Sequence, residues 1–149
     1  MSDDPSKTLP AVDAMRKDWA IIDVLMGGTR AMRDAGKKYL PQWPKEEADA
    51  YQSRLTTSTL LPALSETVQN MTGRVFSDPI CFVDDVPKPI EEMAEDFDRQ
   101  GNNLQVWAQS LFSTGLSHGL CHILADYPPA QDLKTKAAEK AAGVRPYGV

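Results

Sequence analysis

Residues 102–127, NNLQVWAQSLFSTGLSHGLCHILADY, hold a helical apolar stripe and a strand-like apolar run side by side, and this stretch decides the fold. Leu104, Trp107, Ala108, Leu111, Phe112, Gly115 and Leu116 recur at three- and four-residue steps, which puts them on one face of an α-helix. Such a face must be buried. Asn102 or Asn103 supplies an Asx oxygen for the free amides of the first turn, and Gly119 suits a left-handed position at the helix end. From Leu120 to Ala125 the chain is mostly apolar, and Pro128 and Pro129 then stop any ladder. The spacing predicts a helix feeding a short buried strand.

Upstream, Val12, Met15, Trp19, Ile22, Leu25 and Met26 mark one helical face, ended by Gly27 and Gly28. Thr29 can cap a short second helix running up to Gly36. Pro41 and Pro44 exclude regular helix over residues 37–44, and Tyr39 and Trp43 are expected to fold back onto the core as large amphipathic anchors. Pro44 suits a first helical turn, with Glu46 and Glu47 where the helix dipole favours acids. The stripe Ala48, Tyr51, Leu55, Ser58 or Thr59, Leu61 or Pro62, Leu64, Val68 and Met71 is interrupted by Pro62, so a kink or break is predicted near Leu60, with Gly73 ending the second half. Residues 75–83, with Pro79 inside, read as an edge-type extended segment, and Pro89 opens an acidic helix through Ile90, Met93, Ala94 and Phe97 that ends before Gly101.

Residues 131–142 are rich in Ala and Lys and read as an exposed or frayed helix, or as a solvated lobe edge, capped by Gly143. A strand then begins near Tyr147. A strand needs a partner, so the chain reads as the leading piece of something longer. The expected class is α+β, helix-dominated, with short strands around Ile80, Ile123 and Tyr147. At 149 residues, one helix-rich domain over residues 11–149 is expected behind a flexible arm at 1–10.

A formal charge of −5 argues against a dedicated electrostatic grip on nucleic acid. Cys81 and Cys121 are too few for a disulfide framework and read as reduced thiols in a cytosolic setting. No signal peptide or membrane span is read, since the apolar run at 20–26 is broken by Asp23. His118, Cys121 and His122, with Cys81, are the only soft ligands. Their spacing fits no zinc or haem template, so they read as structural. The acid pairs Asp84–Asp85, Glu91–Glu92 and Glu95–Asp96 read as solvated faces rather than acid/base machinery. No nucleophile elbow, phosphate loop or dinucleotide fingerprint occurs. No catalytic residue, metal or cofactor is assigned, and no enzyme is expected. Arg30, Arg33, Lys37 and Lys38, interleaved with Tyr39 and Trp43, form the one candidate interaction loop. It reads as a phosphate-facing patch or, preferably, as a solvated loop or subunit contact.

The strings MGGTRAMRDAGKKYLPQWPKEEADAYQSRL, TLLPALSETVQNMTGRVFSDPI, DFDRQGNNLQVWAQSLFSTGLSHGLCHILADYPP and RPYGV, in that order, resemble the N-terminal part of a family of portal-like proteins of tailed phages. The resemblance rests on co-occurrence in order and spans most of the chain from about Gly27. Gly148 stands where the family leads one to expect a large aromatic residue, and family members continue well beyond this point. The resemblance implies a wing-like fragment of a portal ring, usually dodecameric, at one capsid vertex of the virion, assembled in the host cytoplasm. It implies partners in the terminase, the capsid or scaffold and the head-tail connector proteins, with DNA passing through without sequence-specific binding and with no membrane involved. The other expectation is a small, non-enzymatic helical adaptor or regulator from a prophage region, with residues 30–43 as its binding loop.

Overall fold

The computed structural model describes residues 7–128, 133 and 135–149. The fold is helix-dominated: α1 (Pro10–Ala35), a 3-10 turn (Gly36–Lys38), α2 (Ala48–Thr57), α3 (Ala63–Val75), α4 (Lys88–Ala94), α5 (Leu104–His118) and α6 (Lys136–Ala141), with two short strands, β1 (Ala125–Asp126) and β2 (Tyr147–Gly148). The chain divides into two compact units, Met1–Asn70 and Met71–Val149. The expected arm at 1–10 and helix at 131–142 fall partly outside the described residues. Within the latter, α6 is capped by the Thr135 hydroxyl, which accepts from the Ala138 amide at 3.2 Å, and Gly143 follows with positive φ.

In the first unit the expected end at the glycine pair is met by a break: α1 consists of two helical stretches that join at Gly28, the second running up to Gly36. The chain changes direction at Gly28, whose φ of 70° and ψ of −153° interrupt an otherwise continuous α1. Only glycine adopts such angles cheaply. Thr29 is not a cap as expected, since its hydroxyl accepts the Leu60 amide at 3.0 Å. That bond ties the break after α2, predicted near Leu60, back to α1. Arg33 reinforces the tie, donating through Nε and Nη2 to the Ser58 carbonyl at 3.0 and 2.8 Å. Pro44 does not open α2, which starts at Ala48, and Gly73 does not end α3, which runs on to Val75. A glycine inside a helix lowers its stability without stopping it.

In the second unit α5 follows its local signals. The Asn103 side chain accepts from the Val106 amide at 2.9 Å, and Gly119 closes the helix at φ 72°, ψ −5°. Phe112 meets Phe76 edge-on at 5.7 Å, and Trp107 meets Phe97 at 4.5 Å. The strand after α5 departs from expectation. Only Ala125 and Asp126 are strand, paired antiparallel with Gly148 and Tyr147, and the segment is exposed rather than buried. No strand forms around Ile80; residues 79–83 are irregular, with the Ile80 amide donating to Gln105 Oε1 at 2.8 Å. Gly148 is not an open position for an aromatic side chain, because a Cβ there would run into the Phe97 ring and lie 3.2 Å from Trp107 Cζ2.

Candidate interaction surfaces

In the first unit, residues 39–47 form a loop held from beneath by one carboxylate. Glu46 accepts from Arg54 Nε and Nη2, both at 2.8 Å, and from the Trp43 amide at 3.1 Å. Its own amide donates back to the Trp43 carbonyl at 3.1 Å. Gln42 Nε2 donates to the Glu46 carbonyl at 2.8 Å, and Arg54 Nη2 also reaches the Pro41 carbonyl at 2.9 Å. The Arg54 guanidinium is the main reason that the Glu46 carboxyl sits at about 2 rather than its ordinary 4.5, with the Trp43 amide assisting against partial desolvation. The same contact pushes Arg54 up. A two-point guanidinium–carboxylate fork fixes geometry as well as charge.

Trp43 contradicts the expectation that it packs inward. Its side chain is 68% exposed, flanked by one hollow lined by Leu40, Pro41, Gln42, Pro44 and Arg54 and another lined by Pro44, Lys45 and Glu46. Tyr39 is half-buried. Beside the loop Tyr51 is 5% exposed, its ring under Lys37 Nζ and Arg54 Cζ, each 5.4 Å from the centroid. Its hydroxyl has no hydrogen-bond partner among the described residues.

The four cations of the sequence cluster are committed to different partners. Arg33 is held by Ser58, Lys37 lies over Tyr51, Lys38 lies 5.0 Å from the Tyr39 ring, and exposed Arg30 faces Asp34 at 3.9 Å. The residues that build the loop are Glu46 and Arg54, while Tyr51, expected on the buried stripe, is buried. Sequence reading missed the Glu46–Arg54 pairing because it spans a loop and a helix; the W-P-K-E spacing from Trp43 to Glu46 is the one local signal, since it allows a carboxylate to turn back onto the Trp43 amide.

The second unit carries a different surface. Leu124 and Val149 exchange both main-chain bonds at 3.0 and 2.9 Å, extending the β1–β2 ribbon by one pair. The far edge of β2 is occupied, since the Gly148 amide donates to the Phe97 carbonyl at 3.2 Å. Tyr147 Oη donates to Asp126 Oδ2 at 2.8 Å, which lowers the Asp126 pKa and raises that of Tyr147. Asp98, buried, accepts from Asn102 Nδ2 at 2.6 Å and from the Gln100 and Asn102 amides, and this holds its carboxyl below the usual range despite desolvation. Arg145 Nη2 clasps Asp96 through its main-chain oxygen and through Oδ2 at 3.0 Å.

Along this ribbon Ile123 (59%), Leu124 (62%) and Tyr127 stand in solvent, and elsewhere in the unit so do Val83 (80%), Ile80 and Phe82. His118 Nδ1 lies 2.7 Å from Ser117 Oγ, while His122 is exposed. Among the described residues no three His, Cys, Asp or Glu side chains come together to hold a metal, and no helix is long and apolar enough to cross a membrane. The chain matches no protein-family model, no curated protein and no solved structure in these comparisons.

Proposed function

We propose that this chain is a non-catalytic structural subunit of tailed-phage assembly, corresponding to the N-terminal, wing-like part of a portal ring. The observation that carries the proposal is the apolar surface of the second unit. Large side chains at positions 123–127, along a hydrogen-bonded ribbon, and at positions 80–83, in an irregular segment, remain in water. Exposed apolar side chains clustered along two such segments mark protein–protein contact. The ordered resemblance of the sequence to portal-like proteins supports the same reading, and so does the charge of −5, which suits a conduit that lets DNA slide without gripping it. In this role the chain self-associates at a capsid vertex and meets terminase, capsid or scaffold, and connector proteins through its outer faces.

A second reading, the small adaptor, is favoured by one observation: Trp43 on a pre-formed loop. An exposed tryptophan whose loop is already ordered costs little entropy to dock, and tryptophan is enriched at interface hot spots. Sedimentation velocity across a concentration series separates the two. A structural subunit is expected to shift progressively to larger species, whereas a single monomer or dimer boundary at every concentration contradicts that reading and selects the adaptor.

A further inference from the structure

We infer that residues 80–83 of one copy add as an antiparallel strand to the open edge of β1 in the next copy, so that the chain assembles head to tail; this rests on the self-associating role proposed above. Three observations fix the pairing. First, main-chain groups alternate edges along a strand. Leu124 is bonded to Val149, so the N–H and C=O of Ile123 and Ala125 face the other way, where no described residue bonds to them. A two-stranded ribbon with one free edge is marginal alone and a template for a third strand.

Second, the chain itself carries a segment suited to that edge. Residues 80–83 are Ile, Cys, Phe and Val, all favourable in strands or readily accommodated there, and all are exposed. The Ile80 amide is already engaged by Gln105, so an extended course leaves the Cys81 and Val83 main-chain groups on the free edge. Pairing Cys81 with Ala125 and Val83 with Ile123 matches free edge to free edge. It also sets Val83 beside Ile123 and Phe82 beside Leu124, covering the most exposed apolar side chains of both segments.

Third, charge sets the direction. Antiparallel pairing brings Asp84 and Asp85 alongside exposed His122 and away from Asp126; parallel pairing would stack them against Asp126. The donor segment and the acceptor edge are different surfaces of one chain, so each copy uses both. Repeated in one direction, such heterologous contacts close into rings or propagate as filaments, whereas reciprocal exchange between two copies stops at a dimer.

Disulfide trapping on the full chain tests this. Ala125→Cys in a Cys121→Ser background leaves Cys81 and position 125 as the only thiols, and a hydrogen-bonded antiparallel pair has a Cα separation of about 5.5 Å, within disulfide range. Mild oxidation should convert most of the monomer band on a non-reducing gel to a ladder of dimer, trimer and higher species, reversed by reductant. Val83→Cys with Ile123→Cys, in a Cys81→Ser and Cys121→Ser background, should give the same ladder if the first variant folds poorly. Dimers alone would overturn the head-to-tail assembly, and a faster-running internally bridged monomer would overturn the strand exchange. Absence of cross-linking in a sample whose sedimentation shows oligomers would overturn it while leaving self-association standing. A monomeric sample would instead remove the underlying reading.

Discussion

The Gly148 backbone lies flush against the Phe97 ring, and a Cβ there would meet both that ring and Trp107, so the end of β2 is packed against the aromatic pair. The Gly148 amide also donates to the Phe97 carbonyl at 3.2 Å, which leaves little room for the main chain to retreat. Gly148→Ala is therefore expected to destabilise the chain by about 1–3 kcal/mol through overpacking. Urea unfolding followed by circular dichroism measures it, and an unchanged midpoint would mean that the rings yield freely.

The Glu46–Arg54 fork makes the first unit sensitive to acid. The Glu46 carboxyl lies at about 2 when folded against an ordinary 4.5, so the folded state binds its proton less readily than the unfolded chain does. Its contribution is complete above about pH 4.5 and is lost as pH falls towards 2. Thermal midpoints should fall more steeply across that window in the wild type than in Glu46→Gln. Parallel curves for the two proteins would show that the fork contributes nothing in solution.

These residues also show what was legible in the sequence. The start and end of α5 depend on Asn103 and Gly119, and the bend in α1 depends on Gly28; all three act through local geometry that a sequence displays directly. The strand expected near Ile80 depends on a partner, and pairing is not a local property. The same limit hid Glu46 and Arg54, eight residues apart on a loop and a helix. Trp43 was misplaced for a different reason: ring burial is a tendency, while the Glu46 clamp fixes the loop with its tryptophan outward.

Tyr51 offers a test of buried polarity. Its hydroxyl is enclosed without a partner among the described residues, so deleting it removes a desolvation cost and no described hydrogen bond. Tyr51→Phe is expected to be neutral or to stabilise by about 1 kcal/mol. The ring itself carries the cations Lys37 and Arg54 and fills core space, so Tyr51→Ala should cost about 3–5 kcal/mol. A marked loss of stability in Tyr51→Phe would show that the hydroxyl is bonded in solution.

Trp43→Ala separates contact from folding. With the side chain 68% exposed, the substitution should change unfolding stability by no more than about 0.5 kcal/mol. If the loop serves as the adaptor's docking site, the variant loses its partner while keeping its fold, and tryptophan fluorescence titrations of wild type and variant would show it. A large stability loss would place Trp43 in the core after all.

The central claim is that apolar side chains of the second unit exist to be covered by other copies of the chain. Light scattering on size-exclusion eluates tests it most directly, comparing wild type with Leu124→Glu, which puts a charge on the exposed face of the ribbon. The account predicts wild-type masses at multiples of the 16.4 kDa subunit and a variant shifted to monomer with unchanged helical content. A wild-type mass of 16.4 kDa at every concentration would contradict it.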